Sequence, residues 1–122
     1  MAETVAVVGA GVSGLTCAVL LAERGYRTTI FAEEIGARTT SAAAGAIWFP
    51  YDAEPFDAVI AWSLETFGAL RQLCGAPGTG VSMIELRSFT RAGKSQIPAW
   101  ATPLGARRLP PAEIPRAFTS GY

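Results

Sequence analysis

Three glycines, one acid and a run of hydroxyls are the residues of this 122-residue chain whose types and spacing could do chemistry. The glycines fall as Gly9-Ala10-Gly11-Val12-Ser13-Gly14, directly after the apolar run Thr4 to Val8 and directly before Leu15 to Gly25. That order predicts a strand, a glycine turn and a helix. Gly9 permits a tight turn out of the strand, Gly11 lets a pyrophosphate approach the backbone, and Gly14 lets the helix pack closely on the sheet. An anion in front of the turn would meet unpaired N–H groups and the positive end of the helix dipole. A second strand, Arg27 to Ala32, ends at Glu33, nineteen positions after Gly14. A carboxylate there accepts hydrogen bonds from a ribose 2′-hydroxyl and repels a 2′-phosphate. These residues suit the holding of a dinucleotide; the plain alternative is an ordinary strand-helix-strand unit with Glu33 merely solvated.

The elements that must position these residues follow from the pattern around them. The first strand reads as a continuous apolar run of the kind covered on both faces. Its helix keeps Leu15, Ala18, Val19 and Ala22 on one stripe and stops at Gly25, a C′ glycine. Downstream, Thr39-Thr40-Ser41 places three hydroxyls before the small-residue run Ala42 to Ala46, an arrangement that suits a helix N-terminus and a second portion of a phosphate-bearing ligand. Gly45 and Ala46 would let a flat ring approach the backbone, with Trp48 to Tyr51 as an apolar wall. An alanine-rich stretch of this kind also fits a merely close-packed helix.

Composition bounds the rest. Hydrophobic residues make up 50% of the chain and charged residues 16%, so ample apolar surface seeks burial and disorder is not expected. Part of that surface is expected to be covered by something outside this chain. Ten basic and ten acidic residues cancel, and no basic stripe calls for nucleic acid or an anionic membrane. The longest apolar stretch, Leu15 to Ala22, falls far short of the ~20 residues needed to span a bilayer, and Glu3 stands where a secretory signal would carry a cation. A cytoplasmic location is therefore expected. Cys17 and Cys74 lie in predicted helices without metal-ligand spacing and read as buried, reduced thiols or, alternatively, as a disulfide pair. With no histidine in the chain, neither a Ser-His-Asp nor a Cys-His nucleophile system nor a His-ligated metal can be built from it alone.

Further along, Pro55 and Gly75 bracket an amphipathic helix over Phe56 to Cys74, read as core packing or, alternatively, as a partner-binding helix. Ala76 to Gly80 is a turn-rich linker. Val81 to Arg91, with the alternation Ile84-Glu85-Leu86-Arg87, predicts a strand with one solvated face, and Ser95 to Ala99 a short returning strand. Five prolines from Pro98 onward predict irregular chain, with one helical turn over Pro110 to Ile114.

Val5 to Gly14, the Phe31-Ala32-Glu33 strand end, Thr39-Thr40-Ser41, the run Ala44-Gly45-Ala46-Ile47-Trp48-Phe49-Pro50-Tyr51 and the segment Leu104 to Leu109 together resemble the D-amino-acid oxidase family, most closely its bacterial members. The resemblance implies an α/β fold: a Rossmann-like FAD-binding domain that starts βαβ with a partly parallel sheet, over residues 1–78. The first antiparallel strands of a substrate domain and a proline-rich connection follow over 79–122. It also implies FAD as the cofactor. Gly9, Ala10, Gly11, Val12, Ser13 and Gly14 would lie against its pyrophosphate. Glu33 would hold the adenosine ribose, with Glu34 beside it at lower weight, and Arg38 would help neutralise phosphate charge. Thr39, Thr40 and Ser41 would bind the phosphate and ribityl region. Gly45, Ala46 and Ile47 would present backbone to the isoalloxazine ring, while Phe49 and Tyr51 would stand at the substrate pocket.

The family reaction is hydride transfer from the α-carbon of a D-amino acid to flavin N5, then imino-acid hydrolysis and reoxidation by O2 to give hydrogen peroxide. No catalytic side chain of this chain and no metal is implied. Family members are roughly two to three times longer, so the carboxylate-clamping arginine, the pocket tyrosines and the glycine-rich stretch that completes the FAD site are expected from a C-terminal remainder, as a second polypeptide. A homo-oligomeric state stays open. So do a related amine-oxidising flavoenzyme of the glycine or sarcosine oxidase type, a nicotinamide-dependent dehydrogenase, which fits the turn and Glu33 but not the hydroxyl triplet, and a non-catalytic FAD-binding module.

Overall fold

The computed structural model of the chain describes residues 2–50 and 53–122. They fall into two compact units, Met1–Ile47 and Trp48–Tyr122.

The first unit is a βαβ arrangement. Strand β1 (Thr4–Val8) runs parallel to β2 (Arg27–Phe31), in a register that puts Thr4 opposite Arg27 and Val8 opposite Phe31. The pairing is extended at both ends: the Arg27 N–H donates to the Glu3 carbonyl at 2.9 Å and the Gly9 N–H to the Phe31 carbonyl at 2.8 Å. Between the strands runs helix α1 (Val12–Glu23). It ends as its glycine predicts. Gly25 takes φ +89°, its N–H reaches the Ala22 carbonyl at 2.9 Å, and the Tyr26 N–H reaches back to Leu21 at 3.1 Å. That pair of bonds closes the last turn in a left-handed conformation which costs glycine least.

Two expectations for this unit are corrected. β1 is not covered on both faces: Val5 and Val7 are half-buried, while Thr4, Ala6 and Val8 are exposed. Nor is the α1 stripe buried. Ala18 is 5% exposed, but Leu15, Val19 and Ala22 lie open, and so does Cys17. The physical reason is the same for both: two strands and one helix offer one shared interface, and only residues turned into it lose water.

After β2 comes a single 3-10 turn, Gly36–Arg38, and then the short helix α2 (Thr40–Ala43). Thr39 caps α2, its hydroxyl accepting the Ala42 N–H at 3.2 Å, as serine and threonine caps do.

In the second unit helix α3 (Phe56–Leu73) follows Pro55 and gives way to the turn at Gly75, as the periodicity predicts. Its contacts centre on aromatic rings. Trp48 stacks at a tilt on Phe67 of α3 at 4.8 Å between centroids and meets Trp100 edge-on at 5.5 Å. The Trp48 indole N–H donates to the Ser63 carbonyl at 3.1 Å, which satisfies the one polar atom of that ring.

The strands of this unit differ from expectation. Only Phe89–Thr90 (β3) of the predicted 81–91 strand is extended and paired, and its antiparallel partner is Ser120–Gly121 (β4), not Ser95 to Ala99. Alternation over Ile84 to Arg87 marks two faces, but a strand needs a neighbouring backbone to pair with. Among the described residues that neighbour exists only from Ser88 onward, where Ser88 and Tyr122 exchange N–H to carbonyl bonds at 2.9 and 3.0 Å. Ser95 serves instead as a junction: its N–H donates to the Ser120 hydroxyl at 2.6 Å, and its carbonyl accepts from Arg108 at 2.7 Å. The helical turn expected near Pro110 is a 3-10 turn at Pro111–Glu113. Nearby, Arg87 bonds Glu85 and reaches Glu113 at 3.2 Å; the hydrogen bond to Glu85 is the main cause raising the guanidinium pKa above its ordinary value. No helix of the described residues is long and apolar enough to cross a membrane.

Candidate cofactor site

The carboxyl ends of β1 and β2 stop side by side, with Val8 opposite Phe31. A cleft of about 560 Å³ opens there, lined by Val8, Gly9, Ala10 and Gly11 on one lip, Phe31 to Glu34 at the end of β2, and Arg38 to Ser41 on the other lip. Binding outside the carboxyl ends of parallel strands is where open α/β sheets place their ligands. A smaller hollow of about 390 Å³ adjoins it, sharing Ala10, Thr39 and Ser41 and including Val12 and Thr16.

Each glycine of the turn has a measurable reason to be one. Gly9 sits at φ +102°, where a side chain is strained. At Gly14 a Cβ would stand 2.1 Å from the Gly9 carbonyl oxygen and 3.6 Å from the Val7 side chain, so any side chain there would force α1 away from β1. At Gly11 a Cβ would come within 2.9 Å of the Ser41 hydroxyl.

The turn also leaves donors unspent. Helix α1 makes its first bond within the helix from the Leu15 N–H to the Gly11 carbonyl at 3.0 Å, so the N–H groups of Val12, Ser13 and Gly14 precede the ladder. Val12 is already taken by the Ser41 hydroxyl at 2.9 Å; among the described residues, Ser13 and Gly14 remain. At the start of a twelve-residue helix, those N–H groups carry the positive end of a full helix dipole. The four-residue α2 brings little dipole of its own.

The second lip mixes charges. Arg38 pairs with Glu34 at 2.6 Å, both side chains largely in water, at 71% and 47% exposure. Glu33, next along the chain, has no ion-pair partner among the described residues. A carboxylate in that position is available to accept hydrogen bonds from ribose hydroxyls.

Nine of the residues singled out in the sequence therefore line one cleft: Gly9, Ala10, Gly11, Glu33, Glu34, Arg38, Thr39, Thr40 and Ser41. Val12 borders the adjoining hollow, and Ser13 and Gly14 contribute from the helix start. Gly45, Ala46 and Ile47 follow α2 in exposed, irregular chain and line neither cavity; the space in front of Gly45 is open for 4 Å. Phe49 belongs to the other unit, 5.2 Å from the Trp100 ring. Tyr51 lies outside the described residues. Val8, Phe31 and Ala32 were not expected as lining residues. Their signal was positional: they are the last residues of the two strands, and Val8, at 87% exposure, is an apolar side chain with nothing over it.

A parallel βαβ unit with a glycine turn, a free acid at the end of its second strand and a cleft between them defines a dinucleotide-binding protein. The chain belongs to the family of FAD dependent oxidoreductases named DAO, whose pattern its residues 4–120 match. It is 40% identical over 117 residues to a D-amino-acid oxidase of Rubrobacter xylanophilus, covering 95% of this chain and 36% of that protein. It is 44% identical over 107 residues to a D-amino-acid oxidase of Streptomyces coelicolor, covering 87% of this chain and 32% of that one. A D-amino-acid oxidase of Dictyostelium discoideum is 28% identical over 120 residues, or 35% of its length. The chain thus spans about a third of the length of these curated relatives. No solved structure matches it. FAD is the family's cofactor, and the spare N–H groups, the bare glycine backbone and the free acid of the cleft fit its ADP half.

Proposed function

We propose that this chain is the part of a D-amino-acid oxidase that binds the ADP half of FAD, in an enzyme converting D-amino acids, O2 and water to 2-oxo acids, ammonia and hydrogen peroxide. The observation that supports it most is the meeting of the glycine turn, Glu33 and the Arg38 to Ser41 loop around one cleft, in a chain whose curated relatives carry that name. Residues 1–78 belong to the cofactor domain, and 79–122 begin the substrate domain.

FAD, when bound, would supply the two-electron acceptor for the hydride lost from the substrate α-carbon. The protein holds and orients. The Ser13 and Gly14 N–H groups stabilise the pyrophosphate, and the bare backbone of Gly11 admits it. Glu33 accepts hydrogen bonds from the ribose hydroxyls. Gly45 to Ile47 offer backbone to the flavin ring, and Phe49 and Tyr51 serve in binding the substrate. The apolar ends of β1 and β2 and the outer face of α1 are covered by further polypeptide, the C-terminal remainder of the enzyme, which completes the site.

The test is one preparation. The visible spectrum of oxidised flavin, peroxide release with D- but not L-amino acids, and co-purifying polypeptide that carries the remaining two-thirds are expected. A colourless preparation sinks the reading of the site. Full turnover by the 122-residue chain as a lone monomer sinks the need for a remainder.

A further inference from the structure

The three consecutive hydroxyls of the second lip have three different situations. Thr39 is used within its own loop: its hydroxyl donates to the Gly36 carbonyl at 2.9 Å and accepts the Ala42 N–H at 3.2 Å. Ser41 is used across 29 positions of sequence, where its hydroxyl accepts the Val12 N–H at 2.9 Å. Thr40 lines the cleft, and its hydroxyl has no partner among the described residues.

The Ser41 bond does what an N-cap does. Gly11, the residue at the cap position of α1, has no side chain to satisfy the first helical N–H groups, and a hydroxyl from elsewhere in the chain takes one of them. The contact explains Gly11 in a second way. A Cβ at that position would stand 2.9 Å from the Ser41 oxygen and 3.9 Å from its Cβ, so the missing side chain leaves room for the serine as well as for a phosphate.

We propose that Ser41 is a positioning residue of the cofactor site: its hydroxyl fixes the Arg38 to Ser41 loop against the glycine turn, withdraws the Val12 N–H from the ligand, and leaves Thr40 as the hydroxyl of the triplet that meets FAD. The proposal rests on the reading of the cleft as an FAD site. Thr39 and Ser41 build the lip, and Thr40 uses it.

The experiment takes the FAD-binding protein and its Ser41→Ala, Ser41→Thr and Thr40→Val variants. FAD affinity is read by flavin fluorescence, and amide hydrogen exchange is read at Val12. Loss of one net hydrogen bond corresponds to about a five- to tenfold change. Ser41→Ala is expected to weaken FAD by about that factor and to speed Val12 exchange comparably. Ser41→Thr, which keeps the hydroxyl, restores both. Thr40→Val weakens FAD while leaving Val12 exchange unchanged. Wild-type protein that takes up no FAD overturns the reading of the cleft and this proposal with it. Wild-type protein that binds FAD, beside a Ser41→Ala variant that binds it equally well or exchanges Val12 no faster, overturns this proposal alone.

Discussion

In Met1–Ile47 two strands joined by a single helix pair along five residues each, whereas in Trp48–Tyr122 the paired strands are two residues long and lie at the two ends of a stretch of turns. The first unit is made of repeating backbone bonds. The second is held by individual ones: Ser120 and Arg108 onto Ser95, and Thr119 onto the Thr90 and Gly93 carbonyls at 3.2 and 2.8 Å. The two units consequently keep function in different places. The βαβ unit concentrates its spare donors where its ladders stop, at the start of α1 and the ends of β1 and β2, and that is where the cleft lies. The second unit turns the hydroxyls of Thr66, Thr79, Thr90, Thr119 and Ser120 onto its own carbonyls.

The change that breaks the first unit most is at Gly14. The atom 2.1 Å from its missing Cβ is a backbone carbonyl oxygen, which cannot rotate aside. Gly14→Ala is expected to cost at least about 3 kcal/mol by forcing α1 off β1, and to abolish FAD uptake. A thermal melt with a flavin titration checks it. Retained binding would mean that the close helix approach does not shape the site.

Gly121→Ala is the matching change in the second unit. Its Cβ would lie 2.7 Å from the Phe89 ring and 2.9 Å from the Ser88 carbonyl oxygen. The ring can turn but the carbonyl cannot, so a loss of about 1–3 kcal/mol is expected on melting. FAD affinity is the readout that matters for the comparison: a fall as deep as that of Gly14→Ala would show that the second unit is as much part of the cofactor site as the first.

Glu33→Gln asks whether the acid at the end of β2 acts by its charge. The amide keeps the length and one acceptor but loses the carboxylate. FAD is expected to bind about five- to tenfold less tightly, because a hydrogen bond to a charged acceptor is worth more than one to a neutral one. An unchanged dissociation constant would return Glu33 to the role of a solvated surface acid.

What could be read in advance divides along the same line. Thr4 to Gly25 was legible because each signal there is local: an apolar run, glycines at fixed offsets, a helix repeat and a C′ glycine act within one turn or one strand. The α3 helix was legible for the same reason. The partner of Phe89 was not. Ser95 to Ala99 is nearer in sequence and as apolar, but Ser120 and Gly121 are the residues bonded to it; pairing depends on which backbone arrives, and Gly121 fits because a side chain would strike Phe89 and Ser88. Burial was misjudged where it depended on a second layer, as at Val19 and Cys17, since periodicity names a face without saying what covers it. In the site, Glu33 and the glycine turn were found by spacing, while the separate uses of Thr39, Thr40 and Ser41 were hidden because three adjacent hydroxyls look alike until their partners are known.

The smallest effect concerns the ion pair beside the cleft. Arg38 was expected to meet phosphate charge, yet it is paired with Glu34 at 2.6 Å with both side chains largely in water. An exposed pair of this kind contributes about 0–1 kcal/mol to stability, so Glu34→Gln should leave the melting temperature nearly unchanged. Its effect on the cofactor should have the opposite sign from every other change at the site. Removing a carboxylate from the lip takes away repulsion toward a pyrophosphate and frees the guanidinium to turn toward it. FAD is expected to bind about two- to fivefold more tightly at low salt, and the gain should shrink as ionic strength shortens the Debye length to about 8 Å near 0.15 M. Tighter binding that fades with salt assigns Arg38 to the ligand. Weaker binding would show instead that the Glu34–Arg38 pair holds the lip in place, which would put it with Thr39 and Ser41 among the residues that build the cleft.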